Sequence, residues 1–167
     1  MPVKKVLITV ALCFCLLFSA CGSTLHGTDE LIEKAREEFS IADAENMEIR
    51  YAGLCGKDDD VLIWFISGNE YQMHRYLPME CEVVGENEYR FTQSFNPMDR
   101  GTDIAVYQWK NGYSFLVNNP DCAMIQIRND GEVVEEIAIR EDSIPFVHYV
   151  NYIPPEYLFL DKDGNEL

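Results

Sequence analysis

At 167 residues, with 47% hydrophobic and 12% aromatic side chains, the chain is long enough for one domain with a real apolar core and too apolar to stay disordered. Its 29 acidic residues against 13 Lys and Arg give a net charge of -16. That surplus excludes a nucleic-acid surface, because a polyanion would be repelled and no basic stripe interleaved with aromatics occurs in the chain.

The first residues set the address. Lys4 and Lys5 precede an apolar run, Val6 to Phe18, and Ser19-Ala20 place small side chains just before Cys21, which is the layout of a secretory signal. A run of about 13 apolar residues is too short to span a bilayer, which takes about 20. Phe18-Ser19-Ala20-Cys21 resembles the bacterial lipobox, with Phe18 standing where that motif usually carries Leu, Val or Ile. The resemblance implies a lipoprotein precursor: residues 1–20 are removed, Cys21 is acylated, and the protein is held on the outer side of a cell membrane, or passed to the outer membrane where the cell has two. It covers the leader alone; the body resembles only uncharacterised extracytoplasmic lipoproteins, which implies no chemistry. Loss of Lys4 and Lys5 moves the net charge from -16 to -18, so membrane contact is expected through the acyl chains on Cys21 and not through the protein surface.

Of the six cysteines, Cys13 and Cys15 leave with the leader and Cys21 is the lipid acceptor. Cys55, Cys81 and Cys122 remain for the fold. Cys81 alternates with Val83 as a core residue would, whereas Cys55 and Cys122 stand in turn-like sequence, so one disulfide between Cys55 and Cys122 beside a buried Cys81 thiol is expected in an oxidising compartment. No CxxC spacing supports a redox or zinc site.

In chain order, residues 21–28 are small and polar and read as a tether, and residues 29–167 as a single domain. Thr28 or Asp29 caps a helix in which Leu31, Ile32, Ala35 and Phe39 recur at helical spacing among charged residues. The period then changes to two. Met47, Ile49 and Tyr51 alternate with polar residues, Asp58-Asp59-Asp60 turns the chain, and Val61 to Ile66 is apolar on both faces, as in a strand covered from both sides. Ser67 to Glu70 reads as a hairpin turn, followed by one strand from Tyr71 to Leu77, a break at Pro78, and another strand from Glu80 to Val84.

The same pattern continues to the end. Tyr89, Phe91, Gln93 and Phe95 are placed on one face. Thr102 to Lys110 returns as Tyr113 to Asn118 across Asn111-Gly112, a dipeptide suited to the positive φ angles of a type I' turn, and Asp130-Gly131 repeats the signal before Glu132 to Ile139. With Ile125 and Ile127 facing inward, and with Ile144 to Val150 and Tyr157 to Leu160, about ten strands follow one helix. The expected fold is mainly β: an antiparallel sandwich or half-open barrel.

The candidate chemistry is sparse. His26, His74 and His148 have no catalytic motif around them, and no GxSxG, HExxH or Ser-x-x-Lys occurs; an acid–base role falls to His74 or His148 if to any histidine. Asp161 to Glu166 has the look of a calcium loop, but its glycine is fourth instead of sixth and the sequence given holds no glutamate at the twelfth place, so a polar turn is expected, with no metal and no cofactor. Phe146, Tyr149, Tyr152, Tyr157 and Phe159 crowd around Pro154-Pro155. Buried, these rings are core; exposed, Tyr149, Tyr152 and Tyr157 form a ligand surface. The expectation is therefore a non-enzymatic, lipid-anchored module that binds an extracytoplasmic protein, peptide or glycan. The alternatives are an inhibitor that meets a basic secreted partner through complementary charge, or a small hydrolase whose site has no motif.

Overall fold

A computed structural model describes residues 23–39, 47–68, 73–99 and 101–167, so the leader, residues 1–20, and Cys21 lie outside the described residues. The described chain is mainly β, with antiparallel sheets and one helix: β1 (Thr24–His26), α1 (Gly27–Glu38), β2 (Ile49–Lys57), β3 (Asp60–Ser67), β4 (Arg75–Gly85), β5 (Glu88–Ser94), β6 (Met98–Asp99), β7 (Ile104–Trp109), β8 (Gly112–Val117), β9 (Met124–Asn129), β10 (Glu132–Ala138), β11 (Phe146–Val150) and β12 (Glu156–Leu160). A large sheet has the order β1-β5-β4-β3-β2 with β6 beside β4, a middle sheet the order β11-β8-β7, and a third sheet the order β10-β9-β12.

These elements stack in four layers because the strands at the centre have two apolar faces. Alternate residues of β3 divide between two cores: Val61, Ile63 and Phe65 pack with Leu31, Ala35 and Phe39 of the helix side, while Leu62, Trp64 and Ile66 pack with Ala105, Trp109 and Leu116 of the middle sheet. Strand β8 repeats the arrangement one layer on. Leu116 faces the large sheet, and Phe115 and Val117 pack with Ile125 and Ile127 of the third sheet. The helix, the doubly buried Val61 to Ile66 strand and the inward Cys81, Ile125 and Ile127 all stand where the periodicity places them.

Several expectations are corrected. The stretch read as a tether contains β1, whose residues pair with Glu88 to Arg90 of β5, and the helix begins at Gly27 instead of after Thr28. The main-chain amide of His26 donates to Glu30 Oε2 at 2.7 Å, so a carboxylate inside the first turn caps the helix. Pro78 does not divide two strands: β4 runs through it unbroken. Its carbonyl accepts from the Phe95 amide, and since a strand residue points its N–H and C=O to the same side, the missing donor falls where β5 ends and β6 begins, leaving the ladder to β3 intact. A bulge opposite Glu80 and Cys81 shifts the register. It turns Tyr89 and Phe91 toward the helix side and Phe95 toward the middle sheet, so the four residues of that alternation do not share a face.

The two hairpin glycines also part company. Asp130 (φ 51°) and Gly131 (φ 83°) both adopt the left-handed region, as a type I' turn requires. Between β7 and β8, however, Trp109 pairs with Gly112, so the connecting residues are Lys110 and Asn111, with Lys110 at φ 52°. Gly112 is the first residue of the returning strand and is needed for closeness: a Cβ there would sit 2.0 Å from the Val150 carbonyl oxygen and 2.7 Å from Tyr149 Oη. Gly112→Ala is expected to lower stability by about 3 kcal/mol, since backbone must move to admit the methyl group. Gly101→Ala, where a Cβ meets nothing within 4 Å, serves as the control, and urea denaturation midpoints of the two variants make the comparison.

Candidate functional site

The large and middle sheets enclose an apolar slab, and polar side chains gather at its two open ends. At one end, the last residues of β2, the residues after β11 and an edge of β10 frame a cleft of about 520 Å³ lined by Gly56, Lys57, Asp58, Glu135, Tyr149, Val150, Asn151 and Tyr152. Tyr149 is held edge-on to Trp109, ring centroids 5.3 Å apart. Tyr152 remains 39% exposed and donates its hydroxyl to Glu135 Oε2 at 2.8 Å. Burial raises the phenol pKa of both tyrosines, and the Glu135 bond raises that of Tyr152 further, so both are hydrogen-bond donors at neutral pH. Lys57 is held on Asn111, and Lys110 on Asp60 with its ammonium over the Trp109 ring. The cleft thus offers an aromatic face flanked by fixed carboxylate, ammonium and amide groups, a combination that binds polar ligands with flat apolar faces.

At the opposite end lies a network that includes His74, one of the two histidines weighed for an acid–base role. Arg50, Ile66, Tyr76 and Met98 form one cross-strand row, on the face of the large sheet that carries Ile66 and Tyr76 toward the middle sheet. Asp103 just before β7 and Asn118 just after β8 extend the β7–β8 ladder of the middle sheet by a main-chain bond of 2.9 Å. Asp103 Oδ1 accepts from Tyr76 Oη at 2.6 Å and lies 3.1 Å from His74 Nδ1. Asn118 joins the other side, its Oδ1 accepting from Arg50 Nη2 at 3.3 Å and its Nδ2 lying 3.4 Å from His74 Nδ1. The shorter contact and the carboxylate charge favour the tautomer in which Nδ1–H donates to Asp103. Tyr76 is fully buried, and burial, reinforced by its bond to Asp103, pushes its phenol far above the ordinary range, so it remains the donor. Asp103 holds φ 54°, an uncommon value for a residue other than glycine.

The remaining candidates are dispersed. Tyr157 does not join Tyr149 and Tyr152; it packs against Phe115 at 5.3 Å and Tyr113 at 5.8 Å in the core between the middle and third sheets. His26 belongs to β1 beside Glu88. Burial lowers the His148 pKa against the opposing pull of Glu135, and its ring stacks on Phe146. In the final turn Asp161 Oδ1 accepts from the amides of Asp163 and Asn165, which makes a self-satisfied polar turn.

The expected Cys55–Cys122 disulfide is corrected: Cys55, Cys81 and Cys122 are all free and buried. Cys55 belongs to the core between the large and middle sheets, where its sulfur lies 3.2 Å from Ser114 Oγ. Cys122 lies beyond the middle sheet, in the core of the third, with its thiol directed to the Met124 carbonyl. A sheet therefore stands between the two.

Compared with protein-family models, curated proteins and solved structures, the chain matches none. Among the described residues no helix is long and apolar enough to cross a membrane.

Burial pushes the Cys55 thiol up to about 11 and the Cys81 thiol up to about 12. Because the thiolate is the reactive form, iodoacetamide at pH 8 is expected to label Cys55, Cys81 and Cys122 only after unfolding, and peptide mapping without reductant is expected to find no Cys55–Cys122 crosslink. The same shifts fix a sign. A folded-state pKa above the ordinary 9.0 contributes stability that is complete below pH 9 and lost as pH rises toward 11, so urea midpoints are expected to fall across that window and to fall less in Cys55→Ala.

Proposed function

We propose that the chain is the precursor of a lipid-anchored extracytoplasmic binding module. On this reading residues 1–20 are a cleaved signal, Cys21 carries the acyl chains, and the folded domain presents the Tyr149–Tyr152 cleft to a peptide or glycan. The observation that carries the binding half is that cleft: two oriented tyrosines, one of them 39% exposed, beside a carboxylate and an ammonium that are already held in place. Preorganised groups of this kind lose little entropy when a ligand arrives. The anchoring half is supported by the coincidence of the basic start, the short apolar run, the small residues and the cysteine at the head of the chain.

A second reading is favoured by one feature of the third sheet. Its edge strand β10 exposes Glu132, Val133, Val134 and Glu136, an acidic and partly apolar edge that complements a basic extended segment. A charge-complementary inhibitor would use this edge, and its association would weaken steeply with ionic strength, whereas binding in the cleft would not.

Two measurements test the proposal separately. Expression of the full chain and of Cys21→Ser, followed by fractionation and mass spectrometry, is expected to place the wild-type protein in the membrane with an acylated Cys21 and the variant in the soluble fraction; unacylated wild-type protein in the medium would end the anchoring half. Screening of glycan and peptide panels with wild-type protein and Tyr152→Ala is expected to find a ligand whose affinity falls at least fivefold in the variant, about 1 kcal/mol for loss of an aromatic contact. A ligand bound equally well by both proteins would remove the cleft from the proposal.

A further inference from the structure

Arg50, like Lys57 and Arg128, is hydrogen-bonded to a side-chain amide. The sequence holds 29 carboxylates against 13 Lys and Arg, and among the described residues Lys34, Arg36, Arg90, Lys110 and Arg140 have carboxylate partners. Arg50 is exposed, and among the described residues its side chain is fixed by a neutral amide, that of Asn118, and by no carboxylate. Asn118 is in turn set by its position at the end of β8 and stands beside His74. The nearest acid in the network, Asp103, is turned to other partners: its Oδ1 already takes the Tyr76 hydroxyl and the His74 ring.

We propose that Arg50 and Asn118, with His74 packed beside them, form a recognition site for a single carboxylate. A guanidinium presents its N–H groups in one plane, and beside a planar amide it matches the two coplanar oxygens of a carboxylate. One amide bond leaves most of the five guanidinium donors available, and Asn118 both steers the group and can itself donate. The Tyr76–Asp103–His74 chain acts as support: Asp103 holds the Nδ1–H of His74, so the ring orientation is fixed before a ligand arrives. The site lies at the other end of the slab from the Tyr149–Tyr152 cleft and does not depend on the anchoring of Cys21.

The test uses the full chain in a non-ionic detergent and two N-acetylated probes, N-acetyl-trialanine with a free carboxyl terminus, an anion at neutral pH, and the same peptide as its neutral carboxamide. NMR signals of the His74 ring and the Asn118 side-chain amide report occupancy. Saturable shifts are expected with the free acid and none with the carboxamide. Arg50→Gln, at an exposed position, is expected to weaken the acid at least tenfold. Asn118→Asp is expected to do the same by giving the guanidinium an internal carboxylate, so the proposal stays testable if either variant alone fails to fold. Equal shifts with the carboxamide, unchanged acid binding in the folded variants, or saturation of the same signals by sodium phosphate at lower concentration than by the peptide acid would each overturn it.

Discussion

Strand β8 has no solvent-facing side, and two of the three apolar cores of the protein are built on it. Its Leu116 closes the slab against the large sheet, its Phe115 and Val117 the slab against the third sheet, and all three are fully buried. A strand in this position must carry apolar residues in sequence instead of in alternation, and the one exception shows what fixes its place. Ser114, also fully buried, accepts from the Trp64 indole at 2.8 Å and meets the Cys55 sulfur at 3.2 Å. A buried hydroxyl without partners is costly, and so is a buried indole N–H. Sliding β8 by one residue would orphan both and send Leu116 to the wrong face, so this contact sets the register between the two sheets.

The functional candidates follow from that stacking. Apart from the Ser114–Trp64–Cys55 contact inside it, a slab closed above and below by sheets gathers its polar groups at its open ends, where strands stop and backbone turns. Lys57, Lys110, Tyr149 and Tyr152 collect at one end; Arg50, His74, Asp103 and Asn118 collect at the other. Every member of the second group stands at or near the end of a strand, brought together from separate parts of the sequence by the ladders of β2, β4, β7 and β8. Each end carries a positive charge held in place, Lys110 on Asp60 at the first and Arg50 on Asn118 at the second.

How much of this was legible beforehand divides along physical lines. The helix, the central strand Val61 to Ile66, the inward Cys81, the hairpin at Asp130-Gly131 and the mainly β class are all local in origin, because periodicity and turn chemistry act over a few residues. What failed needed knowledge of neighbours. Pro78 sits inside a strand only because β5 and β6 leave a gap beside it, and Phe95 changes face only because a bulge forms opposite Glu80. Gly112 is a packing residue because Val150 approaches it from β11. The Cys55–Cys122 pairing failed for the same reason: both residues stand in turn-like sequence, but the middle sheet separates their cores. Of the three tyrosines read as one surface, Tyr149 and Tyr152 line the cleft and Tyr157 enters the next core, a division made by layering that no spacing displays. Of the Arg50 network only His74 stood out by residue type, since Arg50, Asp103 and Asn118 come from separate stretches of the sequence.

The position of β1 ties the proposed anchor to both ends of the slab. A lipid on Cys21 would be separated from the first strand only by Gly22 and Ser23, so with about 3.5 Å of reach per residue the folded domain would stand within roughly 10 Å of its attachment point. The strand that such an anchor would hold down, β1, is one edge of the large sheet, and β2 is the opposite edge. Four strand spacings of about 4.8 Å put the two edges some 19 Å apart. Arg50 and Lys57 both belong to β2. Such a short connection would remove freedom from the domain and still leave open access to both polar ends, because they lie on the strand that would be farthest from the anchor. The acidic rim of Asp29, Glu30, Glu33 and Glu37 on α1 lies near the β1 edge, where repulsion from anionic headgroups would keep the helix from lying flat on a bilayer. On the proposed reading, such repulsion would favour a domain standing on its β1 edge, with β2 outward.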